Sequence, residues 1–301
     1  KDAAVAPVVK IYQGAGSGVW TTGAGFEDFT LQPNPNDDTA IVMATVYRSW
    51  LKNIEVDTPR NHCIFAHRML QSVITHCYLH DATINGSGGG YGVTLENGSS
   101  ANLIYDNIAS NMTGTFQVNE GSSGNVFAYN YVPKSDYYDP RWTQPDFQDH
   151  SSHPMMNLWE GNYGFSAIFD DIHGSSSHHT LFRNRLVGYQ NSTITTQEVA
   201  VGIEAYNTYV NVIGNVLGDS HMTTYMTKPP NFDQNAKAIF SIGHGDSVGL
   251  TKAFDTLLIN GNWDSVTGKV TWLNNIELPL PNSLYLSNKP VWFGDRPWPP
   301  F

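Results

Sequence analysis

A repeat of uneven length runs through most of this 301-residue sequence. Each unit has a turn position, which is asparagine in six of the seven units, and an apolar residue three positions earlier. The turn positions are Asn53, Cys77, Asn107, Asn130, Asn162, Asn184 and Asn215, with steps of 24, 30, 23, 32, 22 and 31 residues. The apolar positions are Trp50, Ile74, Ile104, Phe127, Trp159, Leu181 and Val212. A repeat of this size, built from short segments, is typical of a solenoid in which each unit stacks on the next.

The segments between the turns have the length and composition of β-strands. Residues 39–47 (TAIVMATVY) and 210–218 (VNVIGNVLG), for example, are rich in β-branched and aromatic residues. No window combines an apolar period of 3.6 with helix caps, so the sequence predicts almost no helix. Leucine-rich repeats need an LxxLxL frame and propeller blades need a longer, regular period, and the sequence has neither. The remaining architecture is an all-β solenoid, a parallel β-helix with about three short strands per coil.

The repeat predicts a single domain over residues 1–301. Residues 1–24 are expected to form a leading segment or partial first coil, 25–265 the coils, and 266–301 a segment that covers the open last coil. Asparagine suits the bends because it tolerates the left-handed backbone conformation and can hydrogen-bond along the stack. We therefore expect stacked asparagine amides that satisfy the buried turn backbone from coil to coil.

These Asn-punctuated coils resemble the right-handed parallel β-helix of the pectate-lyase-like superfamily over roughly residues 25–265. The chain is also similar to a group of secreted bacterial β-helix proteins of unsettled activity. That similarity lies in SWLKNIEV, GYGVTLEN, GNVFAYNYV, LWEGN, DDIHGSS, LFRNRL and VNVIGNVLGD, and the tail PNSLYLSNKPVWFGDRPWP resembles their closing segment. The resemblance implies a right-handed coil and leaves the reaction open.

Composition narrows the classes of partner. Charged residues make up 14% of the chain and the net charge is −11, so the chain lacks the basic surface that binds nucleic acid. It also has no polybasic segment for an anionic membrane and no apolar run long enough to span one. Few lysines together with many Gly, Asn, Ser, Thr, Tyr and Trp residues suit a secreted, carbohydrate-facing surface. The expected partner is an extracellular polysaccharide, bound by a monomer or by an oligomer of undefined size.

The sequence has two cysteines, Cys63 and Cys77. Two cysteines in a large domain do not make a disulfide framework, and neither has a CxxC partner for zinc. A disulfide between them stays open, while two small buried side chains are the favoured interpretation.

Two insertions between coils are candidates for a binding face. Residues 133–155 are rich in aromatic and acidic residues, and residues 219–237 form a second loop. Long loops on a rigid solenoid commonly carry its binding residues. Tyr137, Tyr138 and Trp142 in the first loop are therefore predicted to stack on sugar rings.

The segment 167–173 (AIFDDIH) holds the main candidates for chemistry. As a strand it would point Ile168, Asp170 and Ile172 into the coil, where Asp170 is either a structural carboxylate or a sign that the turn begins early. Asp171 and His173 would share the outer face about 7 Å apart, and could act as a general acid/base pair. The alternative is a solvated pair in which His173 caps the turn.

Two reactions are possible here, and each needs further residues. A glycoside hydrolase needs two carboxylates, for which Glu160 and Asp171 are the candidate pair. A polysaccharide lyase needs a cation beside a uronate carboxylate and a base for the C5 proton. Arg183, or a calcium ion, would supply that cation, and His150 or His173 would be the base.

A calcium site is the metal-binding alternative. Its candidate ligands are Asp149, Asp171 and His153. The clustering of His150 and His153 near Asp146 and Asp149 matches no helix-borne zinc motif, so a polar loop is the favoured interpretation there. The sequence implies no other cofactor, because it has no phosphate loop, nucleophile elbow or HExxH motif.

Residues 243–249 (GHGDSVG) resemble the GHGxSxG signature of polygalacturonase-type hydrolases. Asp170 and Asp171 also resemble the paired aspartates of those enzymes. However, 72 residues separate Asp171 from Gly243, which is more than one coil, and the NTD and RIK motifs are missing. We interpret the match as a coincidental Gly-rich turn. The leading hypothesis is thus a polysaccharide-cleaving enzyme, and the alternative is a non-catalytic glycan-binding adhesin, surface fibre or tailspike-like module.

Overall fold

The computed structural model describes residues 10–11, 20–86, 88–229, 231, 233, 235–245 and 252–301. Over these residues the chain is all-β, with its strands in two long, mostly parallel sheets. The described helical segments are short, namely α1 (Lys252–Asp255) and two 3-10 turns (Leu273–Asn275 and Val291–Phe293). Most of the leading segment expected at 1–24 lies outside the described residues.

The strands divide between sheets A and B. Sheet A contains β1 (Lys10–Ile11), β2 (Thr21–Thr22), β4 (Thr39–Tyr47), β6 (His62–Leu70), β9 (Tyr91–Glu96), β12 (Phe116–Val118), β15 (Phe147–Asp149), β18 (Ala167–Phe169), β21 (Val199–Ile203), β24 (Thr224–Thr227) and β25 (Ala238–Ile242). Sheet B contains β3 (Gly25–Leu31), β5 (Trp50–Asp57), β7 (Val73–Thr75), β8 (Tyr78–His80), β10 (Leu103–Tyr105), β11 (Ile108–Met112), β13 (Val126–Ala128), β14 (Tyr131–Ser135), β16 (Leu158–Glu160), β17 (Tyr163–Gly164), β19 (Thr180–Phe182), β20 (Arg185–Leu186), β22 (Asn211–Ile213), β23 (Val216–Leu217), β26 (Leu258–Asn260), β27 (Asn262–Asp264) and β28 (Lys269–Thr271).

Successive repeats pair in register. Strand β13 pairs in parallel with β10 and β16, and β14 pairs in the same way with β11 and β17. In sheet A, β12 pairs likewise with β9 and β15. These repeats therefore contribute two strands to sheet B and one to sheet A. Among the described pairs, β27 and β28 depart from this pattern because they run antiparallel.

The apolar row predicted three residues before each turn lies inside the stack in six of its seven units. These residues have no exposed surface, and they are Ile74, Ile104, Phe127, Trp159, Leu181 and Val212. Neighbouring strands pair them directly, and the rings of Phe127 and Trp159 stack with centroids 4.2 Å apart. This row forms part of the hydrophobic core that lies between the sheets.

The first unit is the exception, and its predicted alignment is wrong by one residue. Trp50 is 37% exposed, and Leu51 occupies the interior position instead. The turn position of this unit is accordingly the buried Ile54 and not Asn53. A slip of one residue along a strand moves a side chain to the opposite face. On that outer face, the indole Nε1 of Trp50 donates a hydrogen bond of 2.6 Å to Glu27 Oε1.

The predicted asparagine ladder is present and extends one step further than expected. Its members are all buried, and they are Asn107, Asn130, Asn162, Asn184, Asn215 and Asn262. The Nδ2 group of each of the first five donates to Oδ1 of the next, as from Asn130 to Asn162 at 3.0 Å. The backbone N–H of Asn130 donates to the same Oδ1, also at 3.0 Å. Cys77 begins the ladder because its N–H donates to Asn107 Oδ1.

A second ladder, which the sequence analysis missed, lies five residues before the first. It contains Ser72, Asn102, Asn125, Asn157 and His179. The amide Nδ2 of Asn125 donates to Asn157 Oδ1 at 3.0 Å, as in the first ladder. At the end of the row, Nδ1 of His179 accepts a hydrogen bond of 3.3 Å from the Asn157 N–H.

The left-handed bend belongs to the residue before each ladder asparagine. Positive φ angles occur at His76, Asp106, Tyr129, Gly161, Arg183, Gly214 and Gly261. The expectation that asparagine itself adopts this conformation is wrong for the ladder asparagines, whereas Asn53, which precedes the turn position Ile54, has a φ of +52°. The preceding residue turns the backbone, so the asparagine side chain remains aligned along the stack.

Asn130→Ala is expected to lower the free energy of unfolding by about 1–3 kcal/mol, because it leaves buried partners unsatisfied. Asn130 donates from Nδ2 to Ile104 O and to Asn162 Oδ1, and its Oδ1 accepts from Asn107. The measurement is urea unfolding followed by circular dichroism. Asn231→Ala at an exposed position is the control, and equal midpoints for the two variants would contradict a stabilising ladder.

The two insertions are not simply loops. Residues 133–155 include the end of β14 and all of β15, and β15 pairs with β12 and β18 inside sheet A. Residues 219–237 include β24, which pairs in parallel with β25 at one edge of sheet A. Short polar strands lack a clear alternating pattern, so the sequence alone predicts loops at these positions.

The C-terminal segment lies along sheet B. Arg183 donates hydrogen bonds to the carbonyl oxygens of Pro281 and Phe301, at 2.9 and 3.0 Å. Further along the same sheet, the Trp298 indole donates to Tyr129 Oη at 2.9 Å. The start of the segment contacts the last coil, because β28 pairs with β27 and the Leu273 N–H donates to Asn260 Oδ1. The expectation that residues 266–301 cover the open last coil stays a prediction. Further along, the buried Ala128 and Tyr129 of sheet B pack against Phe293 of this segment.

Cys63 and Cys77 are both buried free thiols. Burial raises the pKa of each thiol, to about 11 for Cys77. Because the thiolate is the reactive form, neither is a nucleophile at neutral pH. Within the described part of the chain, no helix is long and apolar enough to cross a membrane.

Candidate functional site

A polar row lies along the outer face of sheet A where its strands end. Glu96 is the last residue of β9, and the residues that directly follow β12, β15, β18 and β21 are Asn119, His150, Asp170 and Glu204. Parallel strands in register end at the same edge of a sheet, so these five residues come from successive repeats and lie side by side. Three of them, Glu96, Asn119 and Glu204, were not predicted from the sequence. The five residues are separated by steps of 23, 31, 20 and 34 residues, which are close to the steps of the asparagine ladder.

Hydrogen bonds connect this row with the outward residues of the strands themselves. Asn119 Nδ2 donates to Glu96 Oε1 at 3.1 Å and to Gln117 Oε1 at 3.3 Å. Gln117 Nε2 donates to Gln148 Oε1 at 3.2 Å, and Gln148 Nε2 donates to Asp170 Oδ2 at 2.7 Å. An unbroken chain of side chains therefore runs across four repeats and ends on a carboxylate. Such a network restricts the orientations of its members, although the buried Asn119 Oδ1 has no hydrogen-bond partner among the described residues.

Asp170 belongs to this outer face, which corrects the expected direction of its strand. The interior positions of β18 are Ala167 and Phe169, so Ile168 and Asp170 point outward. His150 Nδ1 lies 2.7 Å from Asp170 Oδ2, and the N–H of Ile172 donates to Oδ1 at 3.2 Å. Asp170 is thus held by three neighbours at the edge of the site.

Asp171 follows in the turn and contacts a second carboxylate. Its N–H donates a hydrogen bond of 3.1 Å to Glu204 Oε2. Partial burial and the neighbouring Glu204 carboxylate raise the pKa of Asp171 to about 6. A carboxyl group whose pKa lies this close to neutrality can donate a proton at physiological pH.

His244 lies next to Asp171 and Glu204, although it is two repeats after Asp171 in the chain. Its Nδ1 lies 3.3 Å from Glu204 Oε1, and the hydrogen bond with Glu204 raises the pKa of the imidazole. At Gly245, where φ is +83°, an added Cβ would come within 2.7 Å of Asp171 Oδ2. The interpretation of this Gly-rich turn as unrelated to the aspartates is therefore not supported by the geometry. The remainder of the motif, 246–249, lies outside the described residues.

Two histidines lie on the other side of Asp170. Burial disfavours the imidazolium of His150, but the Asp170 carboxylate and the charges of Glu204 and Glu96 outweigh it, so the pKa of His150 is raised. The ring of His173 is exposed and stands edge-on to that of His150, with centroids 4.9 Å apart. The predicted residues His150 and His173 are therefore in contact, whereas Asp171 contacts Glu204 and is joined to the histidines only through the adjacent Asp170.

The predicted aromatic residues lie near one another, toward the edge of sheet A where its strands start. Trp142 lines a surface depression with Ile168, Glu204 and His244, next to the carboxylates. Tyr137 and Tyr138 contact each other, with ring centroids 4.5 Å apart. Tyr138 lies against Asn85 and Gly86, just before β9 begins. Trp142 also lines a second depression with Tyr137, and its backbone bridges Thr196 just before β21 begins, so it lies near the tyrosines and the depression extends from it toward Glu204.

Glu160 and Arg183 lie elsewhere, on sheet B beneath the C-terminal segment. Glu160 has no exposed surface, and its Oε2 accepts a hydrogen bond of 2.8 Å from the Leu284 N–H. The pairing of Glu160 with Asp171 as hydrolase carboxylates is therefore not formed. Arg183 binds backbone carbonyl oxygens of the tail, so it does not face Asp171. Both residues were predicted from the turn alignment, which does not distinguish the two sheets.

The predicted metal ligands are also separated. Asp149 points into the core, where its Oδ2 lies 3.0 Å from His179 Nε2 and burial raises the pKa of the carboxyl. Asp171 is partly exposed in the turn after β18, and His153 is exposed. Asp149 is buried in the core beside His179, so it does not share an ion site with these two residues. A different group, Asp57, His80 and Asp81, brings its ligand atoms within 4.8 Å of one another on sheet B.

Comparisons with known proteins do not add a family to this description. A scan with family models found none that matches the chain, and searches among curated proteins and solved structures found no match either.

Proposed function

We propose that this chain is a glycoside hydrolase that cleaves a polysaccharide on the outer face of sheet A. The observation that carries the proposal is the contact between Asp171 and Glu204, beside Asp170, at one edge of that sheet. Glycoside hydrolysis uses two carboxyl groups, one that donates a proton and one that acts as base or nucleophile. The environment of Asp171 suits the first role, because its raised pKa keeps part of the carboxyl protonated near neutral pH.

In this proposal Asp171 donates its proton to the glycosidic oxygen as the bond from that oxygen to the anomeric carbon breaks. Asp170 or Glu204 activates the water molecule that adds to the anomeric carbon. The hydrogen bonds from Gln148 and His150 orient Asp170 for this step. Trp142 supplies an aromatic surface for a sugar ring next to the reacting bond.

Hydrolysis fits the charges of the site better than elimination does. A lyase needs a cation to stabilise the enolate next to a uronate carboxylate. Arg183, the predicted cation, is held by the C-terminal segment on sheet B. The charged groups around Asp171 are instead Asp170, Glu204 and His244. A lyase that recruits calcium through these carboxylates would be the alternative outcome of the assay below.

The proposal extends to the fold and the location of the protein. The parallel pairing of successive repeats supports a right-handed parallel β-helix, similar to pectate-lyase-like proteins. Its flank presents rows of outward side chains in which an extended polymer can lie. Together with the charge-poor composition, this supports a secreted protein that acts outside the cell.

The test is an assay on pectin, polygalacturonate, alginate, β-glucan and xylan, with and without calcium. We expect new reducing ends on at least one substrate without the ultraviolet absorbance of an unsaturated uronate, because only elimination forms that product. Unsaturated products that require calcium would contradict hydrolysis and support a lyase. Retained glycan binding with no cleavage on any substrate would instead support the adhesin hypothesis.

A further inference from the structure

Sheet B carries a second surface that the proposed hydrolysis does not use. Outward residues of successive strands form an exposed row, and they are Tyr78, Ile108, Tyr131 and Tyr163. Tyr78, Ile108 and Tyr131 are 40%, 45% and 45% exposed. Soluble proteins seldom leave neighbouring large apolar side chains in water without a binding role. This row therefore needs an explanation beyond folding.

The row leads into a cavity of about 280 Å³ between sheet B and the C-terminal segment. Tyr131 and Tyr163 form one wall, with ring centroids 5.0 Å apart and planes inclined by 39°. Trp292 and Phe301 form the other. The two aromatic walls thus face each other across a space about the size of the smaller ligand pockets of proteins.

The contacts of the C-terminal segment hold the second wall in place. The ring of Trp292 packs edge-on against Tyr129 at 5.5 Å, and Trp298 donates a hydrogen bond to the Tyr129 hydroxyl. Arg183 binds the Phe301 oxygen at 3.0 Å. The cavity is therefore preformed, which reduces the entropy that a ligand must lose on binding.

Polar groups of both charges lie at the rim. Asp106 and Arg296 both line the cavity, and Asp106 Oδ2 is 3.1 Å from His76 Nε2. The exposed Arg296 guanidinium donates no hydrogen bond within the described part of the chain. Flat aromatic faces with a carboxylate acceptor and a guanidinium donor match a sugar ring, which has apolar C–H faces and hydroxyl groups at its edge. A purely apolar ligand would cover the Arg296 guanidinium without giving it a hydrogen-bond acceptor.

We propose that this cavity and the adjoining tyrosine row bind one or two residues of an uncharged polysaccharide, at a site separate from the carboxylates of sheet A. The rim carries one carboxylate, one guanidinium and one imidazole, so it offers no excess of cations that would favour a polyuronate. The chain would then hold a polymer at a second point, which raises its local concentration at sheet A. The binding site does not depend on whether sheet A cleaves the polymer.

The experiment measures binding by the full chain carrying Asp171→Asn, in which any cleavage of the probe is expected to be slowed by about 100-fold or more. The probes are cellohexaose, xylohexaose, mannohexaose and hexagalacturonate, titrated by isothermal calorimetry and by tryptophan fluorescence. We expect at least one uncharged hexasaccharide to bind, and Tyr131→Ala or Tyr163→Ala to weaken it by about 10-fold or more. Tyr209→Ala, at an exposed tyrosine stacked on His178 away from the cavity, should leave affinity unchanged.

Three outcomes would overturn the proposal. The first is binding of hexagalacturonate alone or of no probe at all. The second is binding that Tyr131→Ala leaves unchanged while Trp142→Ala removes it, because sheet A would then hold the sugar. The third is a dimer, detected by sedimentation velocity, that Tyr131→Ala dissociates, since the row would then be an interface between copies of the chain. Unchanged melting temperatures in the tyrosine variants ensure that a loss of binding is not a loss of fold.

Discussion

Asp171→Asn is expected to lower kcat on the cleaved polysaccharide by about 100-fold or more, the usual contribution of a positioned acid. The amide cannot donate the proton that the leaving sugar oxygen needs. Its melting temperature should stay nearly the same, because the substitution removes a negative charge beside Glu204 and no buried apolar contact. The measurement is the initial rate of reducing-end formation together with thermal unfolding.

The pH profile provides the control for the role of Asp171. Activity of the unmodified protein should fall as pH rises through about 6, because the carboxyl must be protonated to act as an acid. The residual activity of Asp171→Asn should lack this fall. Glu277→Gln, at an exposed carboxylate on the C-terminal segment, should leave both rate and profile unchanged. Full activity in Asp171→Asn would show that a different group donates the proton.

Trp159→Ala is expected to cost about 3–5 kcal/mol of the free energy of unfolding, which is typical of truncating a large core aromatic residue. Trp159 has no exposed surface, and its ring contacts Phe127 and Phe147 at centroid distances of 4.2 and 5.7 Å. The substitution leaves a cavity between repeats that the short strands on either side cannot close. Urea unfolding monitored by circular dichroism measures the loss.

Trp50→Ala is the matched control because the sequence pattern alone predicts the same repeat position for both tryptophans. Its ring is 37% exposed on the outside of sheet B, so the expected cost is about 1 kcal/mol or less. A Trp50→Ala variant as unstable as Trp159→Ala would contradict the one-residue shift of the first unit. Equal losses of unfolding free energy would support the alignment predicted from the sequence, in which Trp50 faces the interior.

The all-β fold and most of the interior row could be predicted because they depend on local pattern. Phe127 and Trp159 recur at a constant offset from asparagine, and an apolar residue at that offset has to be buried. Trp50 could not be placed in the same way. The residues Trp50 and Leu51 are both apolar, and pairing with β7 decides which of them points inward.

The site could be predicted only in part, for a related reason. The segment containing Asp171 and His173 stands out because it interrupts the repeat, and the structure places His173 beside His150 and Asp171 beside Glu204. Glu204 and His244 lie 33 and 73 positions after Asp171, and their distance in sequence hides their proximity. Glu160 shows the reverse error, because its position in the repeat is conspicuous but lies on the other sheet.

The sequence by itself determined that the chain forms stacked short strands, that asparagine amides join the repeats, and that Asp171 stands outside the repeat. These features follow from side-chain size, polarity and spacing within one or two repeats. Only the tertiary structure decided which carboxylates meet, because uneven repeats bring distant residues together through strand register. It also decided that the C-terminal segment buries Glu160 and binds the partly exposed Arg183 on sheet B, since no local pattern specifies which face a long tail covers.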